Sequence, residues 1–137
     1  MPEKIELEVV TPQRLLLHQD VKSVEVPGRD GYLGILPGHA PLITELGVGI
    51  LTYRTNGDPH FLTVMNGYAE VLPDRVIVLA EVSELAGEID VERSRAALER
   101  AQGMLAKSAS PDVDWQRAQA ALERAMVRLQ VAAKVGS

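Results

Sequence analysis

Residues 30–51 read DGYLGILPGHAPLITELGVGIL. Two β-rich apolar runs flank the elbow Pro37-Gly38-His39-Ala40-Pro41, with a histidine at its tip. Proline fixes φ and lacks an N–H, and glycine supplies conformations other residues avoid, so the elbow predicts a sharp connection between two strands. Outward from it the same rhythm continues. In KIELEVV, Ile5, Leu7 and Val9 point one way while Glu6 and Glu8 point the other, the period-2 pattern of a half-buried strand. VKSVEVP, GILTYR, HFLTVMN, YAEVL and RVIVLAE follow, separated by Pro27-Gly28, Asp30-Gly31, Asn56-Gly57, Asn66-Gly67 and Pro73-Asp74. Short strands with closely spaced turns predict an antiparallel β-sandwich or flattened barrel.

From about Ile89 the period becomes helical. Val91, Leu98 and Leu105 lie seven apart, with Ala101 and Met104 widening the stripe. After a break at Lys107-Ser108-Ala109-Ser110-Pro111-Asp112, a second helix is expected from about Asp114, with Trp115, Leu122 and Leu129 again seven apart. Asp90 and Asp114 are expected N-caps, and Gly136 ends the pattern. AALERA occurs at 96–101 and again at 120–125, and such alanine faces permit the close approach of an antiparallel hairpin. The class is therefore α+β and mostly β, with a β-sandwich over 1–87 and a helical hairpin over 88–137. A two-helix hairpin has too little core to stand alone, so it must dock on something.

Composition narrows the chemistry. Without cysteine there is no disulfide, thiolate metal site or cysteine nucleophile. The N-terminus lacks the basic and apolar regions of a signal peptide. No apolar run nears the roughly 20 residues that span a bilayer, so direct membrane insertion is not expected. The net charge of −5 is uneven: residues 1–87 hold 6 Lys/Arg against 12 Asp/Glu, and residues 88–137 hold 8 against 7. The acidic first part argues against nucleic acid, whose phosphates demand Lys and Arg.

His39 could serve as acid, base or ligand, but it is solitary. His18 and His60 show no metal-ligand spacing with it, no G-x-S-x-G elbow is present, and neither phosphate-binding glycine loop occurs. No catalytic group and no metal site are expected. The arginines are more suggestive: Arg93 and Arg100 share one side of the first helix, and Arg117, Arg124 and Arg128 form a row on the second. They suit either local pairing with Glu92, Glu99 and Glu123 on a solvated face, or an acidic segment or nucleotide phosphates.

GYLGILPGHAPLITELGVGIL resembles the hallmark segment of the epsilon subunit of bacterial-type rotary ATP synthases (delta in mitochondria). VMNGYAEVLPDRVIVLAE resembles the strands that follow it, and IDVERSRAALERAQ with VDWQRAQAALERAMVRL resembles the family's helical hairpin. The resemblance spans essentially the whole chain. It implies a sandwich attached to the gamma subunit of the central stalk and to the c-subunit ring, coupling proton-driven rotation to the alpha/beta catalytic head, with no bond chemistry of its own. It implies a hairpin that switches between a compact state and an extended one restraining ATP hydrolysis. It also implies a place at the cytoplasmic face of the bacterial cell membrane.

Residue by residue, the resemblance points to Asp30, Gly31, Tyr32 and His39 at the gamma or c-ring interface. Arg117, Arg124 and Arg128 would face an acidic segment of a beta subunit in the extended state. No cofactor is required, but some members bind ATP as a regulatory ligand through Ile/Leu-Asp-x-x-Arg-Ala. Here Ile89, Asp90, Arg93 and Ser94 correspond, with serine replacing the alanine. Arg100, Arg124 and Arg128 match the accompanying arginines, and Glu84 an upstream acid. Two other readings stay open, a free-standing ATP-binding sensor module and a small β-sandwich enzyme that depends on His39.

Overall fold

The computed structural model describes residues 3–107, 109, 111 and 114–135. Ser108, Ser110 and Asp112 of the expected interhelical break, and the expected stop at Gly136, lie outside the described residues. The chain divides between Leu85 and Ala86 into two compact units.

The first unit is a seven-stranded sheet: β1 Ile5–Val10, β2 Leu15–Val21, β3 Ser23–Gly28, β4 Gly31–Ile35, β5 Leu42–Thr55, β6 Asp58–Leu72 and β7 Arg75–Leu85. The spatial order is β2-β1-β7-β6-β5-β3-β4, so the sheet stays open at β2 and β4. Two-residue loops close three hairpins, with Gly28 paired to Gly31, Thr55 to Asp58 and Leu72 to Arg75. At Asn56-Gly57 both φ angles are positive, 46° and 91°. That combination matches the right-handed twist of the flanking strands and favours Asn-Gly.

Three features depart from the pattern read off the chain. β1 pairs with β7 in parallel, so the sheet is mixed, not purely antiparallel. The Pro-Gly-His-Ala-Pro elbow joins strands that are not neighbours, because β4 and β5 flank β3 on opposite sides. Residues 36–41 therefore cross over β3. Asn66-Gly67 does not reverse the chain either; it lies within the continuous β6.

That dipeptide has a different task. The β6 side chains in the shared core are Leu62 and Val64 before it, then Ala69 and Val71 after it, so the core-facing positions change parity, while Thr63 and Met65 are buried on the opposite face. β5 changes likewise between Leu46 and Leu51, and β7 between Ala80 and Ser83. A regular strand keeps one parity on each face, so all three strands bend at one level and turn their opposite face inward. Asn66 (φ 63°) and Gly67 (φ 134°) make the bend, and a Cβ on Gly67 would run into the Leu79 carbonyl. The two buried sets then join in one core with Ile5, Leu7, Val9, Val24 and Val26. A strongly bent sheet folded over one core is the expected β-sandwich.

The second unit opens with the 3-10 turn Ala86–Glu88, followed by α1 Val91–Ala106 and α2 Trp115–Val135, a helical hairpin. Asp90 caps α1 by accepting from the Arg93 N–H at 3.0 Å, and Asp114 caps α2 by accepting from the Arg117 N–H at 3.1 Å. Buried residues of the hairpin are small, Ser94 and Ala101 on α1 and Ala118 and Ala125 on α2, each pair seven apart, joined by Val127 and Val131. Leu98, Leu105, Leu122 and Leu129 are only half-buried, while Met104 and Trp115 are exposed. Ala101 and Ala125, which close the two AALERA repeats, thus lie in the buried seam as the alanine faces predict, while the heptad leucines flank it, because alanine faces bring the backbones together more closely than leucines allow.

Candidate functional site

Three surfaces bear on function, two in the sheet and one in the hairpin. The first holds the four interface candidates, and the structure puts them on separate connections. Asp30 and Gly31 sit at the β3–β4 turn, whose neighbour Arg29 is anchored to Glu45 through both its N–H (2.9 Å to the Glu45 carbonyl) and its guanidinium. Tyr32 is exposed, yet its hydroxyl accepts the Ile50 N–H at 3.0 Å. The β3–β5 register slips between Glu25 and Gly28, which takes that N–H out of the ladder, and Tyr32 supplies the acceptor. Gly49 leaves room for the ring, since a Cβ there would lie 2.7 Å from the Tyr32 oxygen.

His39 stands on the elbow, where the Gly38 N–H donates to the Pro73 carbonyl at 2.7 Å. Its Nδ1 lies 2.8 Å from the Ala40 carbonyl. A carbonyl only accepts, so Nδ1 carries the proton and the ring clamps its own turn. The preceding Leu36 is highly exposed, an apolar tip on the crossover.

The second surface is one that the alternation argument missed. Leu15, Ile43, Tyr68 and Leu79 are between 54 and 69 % exposed, although all four belong to the ordered sheet. Register places them together: Leu15 opposite Val10, Val10 opposite Leu79, Leu79 opposite Tyr68, and Ile43 diagonal to Tyr68. Opposed residues on one face approach to about 5 Å between Cβ atoms and diagonal ones to about 7–8 Å, so the four, with the half-buried Val10 of β1 between Leu15 and Leu79, form an apolar row across five strands. The signal was present in RVIVLA, where Val76, Ile77, Val78 and Leu79 leave no polar face. An unbroken apolar run indicates a strand covered on both sides.

The third surface is the hairpin's basic side. Asp90, Arg93 and Ser94 occupy the first turn of α1, with the Ser94 hydroxyl donating to the Asp90 carbonyl at 2.9 Å. Serine in place of alanine thus ties the buried seam to the cap. Arg93, Arg100 and Arg117 are exposed, while Arg124 and Arg128 are half-buried. Ile89 precedes the cap, its N–H bonded to the Ala86 carbonyl at 3.2 Å. Glu84 belongs to the sheet unit: its N–H donates to Thr63 Oγ1 at 2.9 Å, and the same hydroxyl donates to its carboxylate at 3.1 Å.

Comparison with known proteins agrees with this architecture unit by unit. Residues 4–86 match the beta-sandwich domain, and residues 88–133 the long alpha-helix domain, of the ATP synthase delta/epsilon chain. The ATP synthase epsilon chain of Solibacter usitatus is 54% identical over 102 residues, covering 74% of this chain and 76% of the relative. Epsilon chain 2 of Syntrophotalea carbinolica is 46% identical over 136 residues, covering 99% of both chains. Among solved structures, a chain of the Euglena gracilis mitochondrial ATP synthase (OSCP/F1/c-ring) superposes with a TM-score of 0.81 at 28% identity, covering 97% of this chain and 83% of that one. The chain belongs to the delta/epsilon family of the ATP synthase, as an epsilon subunit of the bacterial type.

Proposed function

We propose that the chain is a non-catalytic coupling subunit of the central stalk. Its sheet docks on the gamma subunit and the c-subunit ring and passes proton-driven rotation to the alpha/beta head. Its hairpin restrains ATP hydrolysis. The observation that carries this reading is the apolar row Leu15–Leu79–Tyr68–Ile43, which leaves four large side chains on one sheet face in contact with water. Exposed apolar side chains gathered on a rigid sheet mark a protein interface. In this reading the chain reaches the cytoplasmic face of the membrane through its partners; no helix among the described residues is long and apolar enough to cross a membrane.

The test is co-purification. Leu79→Glu puts a charge in the middle of the row while leaving the core untouched, so the variant should fold with an unchanged melting temperature and fail to join gamma and the c ring. Normal assembly of the variant would remove the row from the interface. The parent chain itself failing to join would favour a free-standing ATP sensor. Activity lost on His39→Ala would favour an enzyme.

For the hairpin, ATP is the proposed regulatory ligand, held by Asp90, Arg93, Arg100, Arg124 and Arg128, with Ile89, Ser94 and Glu84 completing the motif. Guanidinium groups hold phosphate oxygens in bidentate fashion, and Arg93 and Arg100 are exposed on one helix side. ATP favouring one hairpin state shifts the population by its differential affinity and no more. With the hairpin extended, Arg117, Arg124 and Arg128 meet an acidic segment of a beta subunit. Trp115 is half exposed at the start of α2 and reports the change. ATP titration should give a saturable fluorescence change matched by calorimetric heat; a flat response in both would remove the nucleotide from the account.

A further inference from the structure

The register of β1 and β2 assembles a ligand set that the spacing of the histidines did not reveal. Glu6 and Glu8 are two apart on β1 and therefore share a face, and His18 on β2 lies directly opposite Glu8. The His18 Nε2 is 2.7 Å from Glu6 Oε1 and 3.8 Å from Glu8 Oε1, and one donor atom from each residue falls within 4.8 Å of the other two. From these three side chains the geometry points to a binding site for a divalent transition metal of the zinc type, which would clamp β1 to the edge strand β2.

Zinc binds imidazole nitrogen and carboxylate oxygen at about 2.0–2.2 Å, so donors around one tetrahedral ion stand about 3.3–3.6 Å apart. The observed separations straddle that range, and small side-chain rotations of the exposed His18 and the half-buried Glu6 and Glu8 bring the donors into it. Backbone pairing fixes where all three side chains start. Two carboxylates and one neutral imidazole balance a dication, and exposure leaves the fourth position for water. An imidazole among the donors favours zinc over magnesium, which prefers an all-oxygen shell.

Arg75 is the competitor. Its guanidinium lies 3.6 Å from both Glu6 Oε1 and Glu8 Oε1, so it neutralises the carboxylates when no metal is bound. Lys4 is engaged elsewhere, with Asp20 at 2.9 Å. Binding must displace Arg75, which limits the affinity and gives the inference a distinctive test: removing Arg75 should tighten zinc while removing a ligand loosens it. An ion-pair network with no metal role predicts no zinc response to either change.

The experiment is calorimetric titration of zinc chloride into the untagged full chain after chelator treatment, with magnesium chloride in parallel. The parent should bind one zinc per chain saturably and show no magnesium heat. His18→Ala and Glu8→Gln should each weaken zinc at least about 10-fold. His39→Ala and His60→Ala should bind as the parent does, and Arg75→Gln should bind more tightly. Circular dichroism checks that each variant is folded, and zinc-dependent shifts of the His18 ring resonances in the parent give a readout that needs no variant. No saturable zinc binding, or binding that survives both ligand substitutions, would overturn the site.

Discussion

Tyr32 illustrates how an exposed residue can hold a fold together. Its ring is in contact with water, but its oxygen satisfies an N–H that the β3–β5 slip leaves unpaired. Tyr32→Phe keeps the ring and removes the acceptor, so it should cost about 1 kcal/mol and speed hydrogen exchange at the Ile50 amide. If binding to gamma fell while stability and exchange stayed unchanged, the residue would be an interface contact alone. Glu6 gives a titration counterpart. The hydrogen bond from His18 leads in holding its carboxyl below the usual carboxylate range; desolvation opposes it, and the charges of Arg75 and His18 add to the lowering. A depressed carboxyl contributes stability above its unfolded pKa and loses it as pH falls through the folded value. The carboxyl resonance of Glu6 should thus titrate at lower pH than an unpaired glutamate, and His18→Gln should move its midpoint upward. An unmoved midpoint would detach the shift from His18.

Between elements, the helical hairpin is joined by Ser94, Ala101, Ala118 and Ala125, side chains that bury little apolar surface each. Close backbone approach compensates, and it makes the seam intolerant of bulk. Ala101→Leu should force the helices apart at a cost of about 1–3 kcal/mol, visible as lost helical signal in the second unit while the sheet's melting is unchanged. The same seam separates what the leucines and the alanines of the repeats each mark. Leucines dominate a hydropathy pattern, so Leu98 and Leu122 marked the helices and their phase, but the contact fell to neighbouring alanines that hydropathy ranks lower. Asp90 and Asp114, by contrast, were legible as caps because that role depends only on a local carboxylate and the first-turn N–H groups.

Across the molecule, what could be read in the chain was local. Alternation located most of the strands but not β2, whose LLLHQDV does not alternate, while Asn56-Gly57 marked its hairpin and the change of period the helices. The β1–β7 pair was not legible, since nothing in KIELEVV names a partner some seventy residues away. Asn66-Gly67 misled because the dipeptide that closes a hairpin can also bend a strand, and only the sheet around it decides. Function divided in the same way: the whole-chain resemblance was legible, the outward apolar row was hidden in runs that look like core, and the Glu6–Glu8–His18 cluster needed register.

The parallel pairing of β1 with β7 also orders events during synthesis. β2 can zip onto β1 at once, yet the other edge of β1 waits until Arg75–Leu79 has been made, so the sheet cannot close around its core before nearly the whole first unit exists. Such distant contacts slow folding towards the millisecond-to-second regime of β-sandwiches, whereas a hairpin of adjacent helices forms far faster. The nascent sheet, with β1 half paired, is therefore the species that most needs protection from aggregation.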